Sequence, residues 1–284
     1  MTTNASEKLE QLRKNLASLR KVLIAFSGGV DSTFLLKVAV DILGKDNVLA
    51  CIAVSPSLSE YQLTQARTLA KQFGVRLDEI TLDEMQDLAY RANLSDRCFH
   101  CKSRLYKLLT DKTKEKNIPH ILCGSNADDK NDYRPGNRAA EVFKVLSPMM
   151  DIGLTKQDIR ELSRQMNLPT ADLPASPCLA SRVAYGLEIT EDRLSQVEKA
   201  EDFLRKLGFV EFRVRHHGDI ARIEINPNEF AKLSSDAVRN QITDELKKLG
   251  FRYITLDLHG FRSGSLNEQL SDDQRQIPNN HKIC

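Results

Sequence analysis

Residues 22–32 read Val22-Leu23-Ile24-Ala25-Phe26-Ser27-Gly28-Gly29-Val30-Asp31-Ser32, and Thr33-Phe34-Leu35-Leu36-Lys37-Val38-Ala39 follows. The apolar run predicts a buried strand, the paired glycines a turn, and the segment beyond them a helix. Glycines let a backbone turn tightly and approach an oxyanion with no Cβ in the way. The first amides of the helix then point at that anion, and the helix dipole favours negative charge there. Ser27, Ser32 and Thr33 add hydroxyl donors. The Asp31 carboxylate would repel a bare phosphate, so its expected work is to hold Mg²⁺ beside one. A capped strand-to-helix turn is the plainer reading of a Gly-Gly pair alone. The full hexapeptide in this setting favours a phosphate site. It is no Gly-x-x-x-x-Gly-Lys-Ser/Thr loop, and it is shorter than one.

Outward from this stretch, strands expected near 21–26, 47–54, 75–80 and 119–123 alternate with helices near 32–43, 59–73 and 101–116. An amphipathic helix carrying Leu9, Leu12, Leu16 and Leu19 precedes them. Ser59 and Gln62 form a capping-box pattern, and Gly44 and Gly74 stand where helices end. Strands apolar on both faces, alternating with helices, predict an α/β fold with a doubly wound parallel sheet. Ligands bind beyond the carboxyl ends of such strands, so 27–32, 54–57 and Gly124-Ser125-Asn126-Ala127-Asp128-Asp129 should converge. A helix near 155–166 leads to Pro169, Pro174 and Pro177, which break any further helix. Beyond Thr190 the order α-β-β-α-β predicts a smaller α+β domain. The expected division is a nucleotide domain over 1–170, a linker over 171–189 carrying Cys178, an α+β domain over 190–270 and a tail over 271–284.

The chain has 284 residues, 28% of them charged, and a formal net charge of +2. That balance gives no global electrostatic case for nucleic acid. No apolar run approaches a membrane span, and Met1-Thr2-Thr3-Asn4 does not begin a signal peptide. A cytoplasmic protein is the expectation.

Of six cysteines, Cys98 and Cys101 stand two residues apart, a spacing that lets two thiolates grip one metal or cluster. Cys178 lies in Ser176-Pro177-Cys178-Leu179-Ala180-Ser181-Arg182. Three thiolates meeting beside the nucleotide would suit a [4Fe–4S] cluster with one open iron. A zinc site completed by His100 or water, a redox dithiol and two buried thiols are the competing readings. Cys51 and Cys123 fall in strands and read as small buried apolar residues, and Cys284 as incidental.

In Val210-Glu211-Phe212-Arg213-Val214-Arg215, strand alternation puts Val210, Phe212 and Val214 inside and Arg213 and Arg215 on the other face. In the next strand Ala221, Ile223 and Ile225 go inside, with Arg222 and Glu224 opposite. A hairpin would gather three arginines around Glu224, and Arg262 follows the last strand. Arginine forks match phosphate geometry. A solvated face with surface ion pairs is an equal reading of the same alternation.

Ser27-Gly28-Gly29-Val30-Asp31-Ser32 resembles the PP-loop of the ATP pyrophosphatases, which cleave ATP to AMP and pyrophosphate. Five further segments extend the likeness: 131–136 (Asn-Asp-Tyr-Arg-Pro-Gly), 213–216 (Arg-Val-Arg-His), 219–224 (Asp-Ile-Ala-Arg-Ile-Glu), 250–258 (Gly-Phe-Arg-Tyr-Ile-Thr-Leu-Asp-Leu) and 260–264 (Gly-Phe-Arg-Ser-Gly). With them the chain resembles the LarE family, ATP-dependent sulfur transferases that build the nickel-pincer cofactor. The resemblance implies a PP-loop, adenine nucleotide alpha hydrolase-like domain over 1–170 and a substrate-phosphate domain over 190–270. It implies a pyridinium-3,5-biscarboxylic acid mononucleotide as substrate, adenylated by ATP and converted to a thiocarboxylate. Ser27, Gly28, Gly29, Asp31 and Ser32 would hold pyrophosphate and Mg²⁺, and Lys102 would neutralise phosphate charge. Gly124, Asp128, Asp129 and Arg134 would line that crevice. Arg213, Arg215, Glu201, Glu224, Arg262 and Arg182 would form the site for the substrate's phosphate. A symmetric homo-oligomer, trimer or hexamer, is implied as well.

Cys178 falls at the family's sulfur-donor position. In one branch that cysteine yields its own sulfur and becomes dehydroalanine; the other holds a cluster on three cysteines. Cys98, Cys101 and Cys178 together imply the cluster-bearing branch, with sulfide carried on the open iron. Sacrifice of Cys178 is the alternative. A tRNA-thiolating PP-loop enzyme shares the cysteine pattern, but the near-neutral charge argues against it. A PP-loop ligase using ammonia around zinc is a third reading.

Overall fold

The computed structural model describes residues 4–130, 135–174, 177–262 and 264–271. The chain divides into two compact units. The first comprises residues 1–84 and 98–176, the second residues 85–97 and 177–284.

The first unit opens with α1 (Ala5–Ala17), β1 (Val22–Ala25), α2 (Val30–Leu43), β2 (Val48–Val54), α3 (Glu60–Phe73) and β3 (Arg76–Thr81). A one-turn helix, α4 (Leu88–Arg91), belongs to the second unit. α5 (Arg97–Lys116), β4 (His120–Cys123), α6 (Pro135–Val142), α7 (Pro148–Asp151) and α8 (Lys156–Gln165) follow. The sheet order is β3-β2-β1-β4, with every pairing parallel. Val22 and Ile24 of β1 enter a core with α1, α2, α3 and α8, whereas Leu23 enters a second core with α5 and α6. Alternate strand residues thus feed opposite layers, which defines the doubly wound sheet. Strand limits fall within about one residue of those expected. Cys51 and Cys123 are buried, as their strand positions require.

α5 starts four residues earlier than the sequence suggests, because nothing in Arg97-Cys98-Phe99-His100 breaks a helix. The Cys98/Cys101 pair therefore sits inside the first turns of α5 rather than ahead of it. Ser59 caps α3 by accepting from Gln62 N at 3.3 Å, while the two side chains bond each other at 3.2 Å.

The second unit holds α9 (Glu191–Lys206), β5 (Phe212–His217), β6 (Ile220–Ile225), α10 (Asp236–Lys248) and β7 (Tyr253–Leu256), in the expected order. β5 and β6 form the hairpin, turning at Gly218, and β7 pairs parallel with β6. Phe212, Val214, Ala221, Ile223 and Ile225 pack with α9 and α10. Val210 departs from the alternation. It is 71% exposed, because the strand begins only at Phe212 and Val210 N bonds the Glu229 carboxylate instead of a strand partner. No helix among the described residues is long and apolar enough to cross a membrane.

Candidate functional site

The first region is the turn between β1 and α2. Gly28 adopts φ +71, and a Cβ there would stand 3.2 Å from Ala66 of α3. The turn is therefore glycine-dependent in both backbone angle and space. Gln65, one residue before Ala66, donates its side-chain amide to Gly28 O at 2.8 Å. Ser27 and Ser32 close the loop on itself, their hydroxyls 3.0 Å apart, and Ser32 Oγ donates to Gly29 O at 3.2 Å. α2 has Gly29 as its N-cap and no side-chain cap. Asn4, Ser59, Thr155 and Thr190 cap α1, α3, α8 and α9. An apolar-flanked helix start with Asp31 in its first turn and no side-chain cap presents its amides to an anion.

Around it stand the carboxyl ends of the neighbouring strands. Gly124, just past β4, lies so close that a Cβ would meet Ser32 N at 2.9 Å. Asp129 is buried and accepts from Asn126 N at 3.1 Å. Asp128 accepts from Lys156 N at 2.8 Å, at the start of α8. At the end of β2, Ser55 Oγ donates to the buried Glu84 at 2.9 Å, and Cys101 Sγ lies 3.7 Å from the other Glu84 oxygen. Lys102 runs beside Gly136 of α6, where a Cβ would come within 2.5 Å of its Cδ. Arg134 and the rest of 131–134 lie outside the described residues. Gln65, Glu84 and the reason for Gly136 were not found from sequence, since nothing local marks a contact made so far along the chain.

Cys98 and Cys101 are half-buried, one turn apart on α5, a spacing that puts both thiols on one face. That donor pair fits part of a thiolate-ligated metal or cluster. Cys178, in the second unit, precedes the 3₁₀ turn Leu179–Arg182 and makes no capping bond through its side chain. Among the described residues no group of three or more His, Cys, Asp or Glu side chains is arranged to hold a metal ion.

The second region is the face of β5 and β6 opposite their core. Arg213 pairs in register with Glu224, and Arg215 with Arg222. This face is buried rather than solvated: Arg213 is 6% exposed, Arg215 5% and Glu224 0%. Glu224 accepts from Arg215 at 2.8 Å, Arg222 at 3.0 Å and Ser265 Oγ at 2.8 Å. Asp257, just beyond β7, stands 3.3 Å from Arg222 and 3.6 Å from Arg262. Arg213 stacks over the Phe261 ring at 4.9 Å. Burial, and then the charge of Arg182, lower the Arg213 guanidinium to about 10. Arg215 Nε and Arg222 Nε are buried donors without a hydrogen-bond partner. Buried donors in a crowd of like charges favour an added anion. Arg182 and Glu201 form a separate buried pair, with contacts of 3.0 and 3.1 Å. Asp257 and Ser265 were not singled out in the sequence: Asp257 lies in the segment 250–258 with nothing to mark its arginine partners, and Ser265 lies beyond the last quoted segment.

The parallel sheet, its glycine turn and the uncapped helix define a PP-loop nucleotide-binding protein, and a family profile described as a PP-loop domain matches residues 1–133. A pyridinium-3,5-bisthiocarboxylic acid mononucleotide synthase of Lactiplantibacillus plantarum is 38% identical over 96% of this chain and 98% of its own length. Uncharacterized proteins of Synechocystis sp. and Methanocaldococcus jannaschii are 40% and 31% identical, over 93% and 90% of this chain and 98% of each relative. The chain belongs to the LarE family of PP-loop synthases.

Proposed function

We propose that this protein is an ATP-dependent sulfurtransferase that converts the carboxylates of pyridinium-3,5-biscarboxylic acid mononucleotide to thiocarboxylates. The observation that carries the reading is the reach of the likeness to the Lactiplantibacillus synthase. It runs through 96% of the chain and so includes the arginine face as well as the PP-loop.

A carboxylate is a poor electrophile. Its oxygen attacks the α-phosphorus of ATP, pyrophosphate leaves, and the acyl adenylate forms. Sulfide then attacks the acyl carbon and AMP departs with the C–O bond electrons. Ser27, Gly28, Gly29 and Ser32 would hold the pyrophosphate through backbone amides and hydroxyls, and Asp31 would hold Mg²⁺, which when bound would offset phosphate charge. Lys102 would offset charge as pyrophosphate leaves, with Gly124, Asp128, Asp129 and Arg134 around the nucleotide. Arg213, Arg215 and Arg262 would grip the substrate's phosphate, with Glu224 orienting Arg215. Cys98, Cys101 and Cys178 would hold a [4Fe–4S] cluster, which when bound would supply the sulfide. A homo-oligomer, trimer or hexamer, and a cytoplasmic location belong to the same reading.

Anaerobic reconstitution followed by a thiocarboxylate assay tests it. The expected result is AMP formed with thiocarboxylate, more than one sulfur delivered per chain, and iron with labile sulfide bound to wild type but lost in C98A. One sulfur per chain with a loss of about 34 Da at Cys178 would replace the cluster by sacrifice of that cysteine. Absence of AMP and thiocarboxylate together would reject the activity.

A further inference from the structure

The family resemblance places Arg182 and Glu201 on the substrate's phosphate. Their hydrogen bonds point to other work. Arg182 Nε and Nη2 donate to the two Glu201 oxygens at 3.0 and 3.1 Å, a bidentate pair in which both side chains are at most 6% exposed. The remaining terminal nitrogen, Nη1, faces Pro177 O at 2.5 Å, Cys178 O at 3.1 Å and Ser181 Oγ at 3.1 Å. Every nitrogen of this guanidinium therefore has a protein acceptor, which leaves little for a phosphate. Glu201 is likewise engaged: besides Arg182 it accepts from Val214 N at 3.1 Å. Burial alone would push its carboxyl up, yet the Arg182 charge and hydrogen bond beside it hold the carboxyl below its ordinary value. Arg215 and Arg222 differ, each keeping a buried Nε donor without a partner.

The backbone that Arg182 holds is that of Cys178. Cys178 O also accepts from Ser181 N at 3.0 Å and from Ser181 Oγ at 2.7 Å. On the far side of the turn, Ala180 O accepts from Arg97 at 2.9 Å, and Asn93 donates to Ala184 O at 2.8 Å and Leu187 O at 2.9 Å. Val183 bridges to His216 of β5, and Ala184 N donates to His216 O at 3.0 Å. The 3₁₀ turn Leu179–Arg182 is thus tied to α9, to β5 and to the segment 85–97. The Arg182–Glu201 fork is the tie that reaches the Cys178 peptide itself.

We infer that Arg182 and Glu201 are positioning residues for Cys178. They fix its carbonyl, and through it the direction of the thiol, and are not ligands of the substrate's phosphate. The inference uses the proposed role of Cys178 in sulfur handling only for its effect on turnover. The clamp stands on the geometry alone, whichever way the sulfur travels.

The test compares wild type with R182K, with the charge-free double variant R182M/E201M, and with R262M as the phosphate control; Arg215 would not serve, because its Nη1 donates to Ser181 O at 3.0 Å and so ties the same turn. The double variant removes both buried charges together, a replacement that folded proteins often tolerate, whereas a single deletion strands the partner charge. R182K keeps the charge but offers a point donor in place of the fork, so it serves if the double variant does not fold. Two readouts are taken. The first is the native-state rate at which iodoacetamide alkylates Cys178 in protein as purified, followed by peptide mass spectrometry, with Cys98 and Cys101 as internal references. The second is the split of kcat against KM for the mononucleotide. In the clamp variants Cys178 alkylation should rise by about tenfold over the reference cysteines as the turn opens locally. Turnover should fall by about tenfold with KM changed less than about threefold, and R262M should do the reverse. A KM rise like that of R262M with unaltered Cys178 alkylation would overturn the inference and return both residues to the phosphate. Wild type that makes no thiocarboxylate would sink the functional reading, while the alkylation rates would still decide the clamp.

Discussion

The two regions proposed to bind phosphate are built on opposite principles. At the PP-loop the donors are backbone amides and hydroxyls, shaped by a glycine at φ +71 and backed by Gln65 and Ala66. Its charged groups are Asp31, within the hexapeptide, and Lys102, on α5. On the β5–β6 face the donors are side chains: Arg213, Arg215 and Arg222, with Arg262 beyond, interleaved with Glu224 and Asp257. A backbone cradle depends on shape and survives the loss of any one side chain. An arginine lattice depends on charge balance, so each member affects the others. The comparison teaches that one chain can offer phosphate oxygens two kinds of donor set, which should respond quite differently to substitution, pH and salt.

The largest effect is expected where shape and charge meet. Asp31→Ala should reduce AMP formation by about a thousandfold, since removing the metal's carboxylate weakens stabilisation of the leaving pyrophosphate. The loop is held by Ser27, Ser32 and Gln65, so the fold should persist. A melting temperature lowered by more than about 5 °C would mean that Asp31 serves the fold instead. Next comes Arg215→Met. It leaves Glu224 with Arg222 and Ser265, so the carboxylate keeps partners. The mononucleotide KM should rise by about a hundredfold while the KM for ATP is unchanged. Equal rises in both constants would erase the distinction between the two regions.

How far the two regions were legible in sequence follows from the same contrast. The PP-loop is a local object: an apolar run, paired glycines and a helix start lie within eleven residues. Its supports are not local. Gln65 and Ala66 lie more than thirty positions away, and Gly136 is explained only by the Lys102 stem passing over it. The arginine face was half legible. Alternation places Arg213, Arg215, Arg222 and Glu224 together, and the register confirms it. Period two says which residues share a face but nothing of whether that face is covered, so a solvated face stood equal to a phosphate site, and only the structure shows Arg215 to be 5% exposed. Val210 fits the alternation by one residue too many, because strand ends depend on pairing partners that sequence does not show. Arg182 and Glu201 were placed with the phosphate by family resemblance, and only their hydrogen bonds reveal what they hold.

Acid should separate the two regions more gently. Burial, with Arg193 and His217 beside it, lowers His216 from an ordinary 6.5 to about 4. The folded group therefore binds its proton less readily than the unfolded one. Stability from this source is fully present above the unfolded value and declines as pH falls from about 6.5 to about 4. Burial and the charges of Arg222 and Arg215 lower His217 as well, with the same sign. Between pH 7 and 4.5 the second unit should lose about 2 kcal/mol through His216. Hydrogen exchange of β5 amides reads this directly, with β1 amides as the reference. His216→Gln keeps an amide facing Gln196 and removes the titration, so the difference between β5 and β1 should shrink. An unaltered difference would assign the acid sensitivity to other groups.

The smallest effect bears on Lys102, a cation assigned to the PP-loop side. Gly136 lies in α6, and an added Cβ would come within 2.5 Å of Lys102 Cδ and 3.0 Å of its Nζ. The obstacle is the far end of a flexible side chain and not backbone, so Gly136→Ala should displace the lysine without unfolding the unit. In a helix, alanine is favoured over glycine by up to about 1 kcal/mol, so stability should hold or rise slightly. Turnover should nonetheless fall by about tenfold, the mark of a charge moved rather than removed. Lys102→Met gives the full loss for comparison, and the double variant should be no worse than Lys102→Met alone, because a displaced lysine and a missing one fail in the same step. If instead the two losses multiply, Gly136 acts on something other than Lys102, and the backbone cradle and the charge beside it are less separable than the contrast with the arginine face implies.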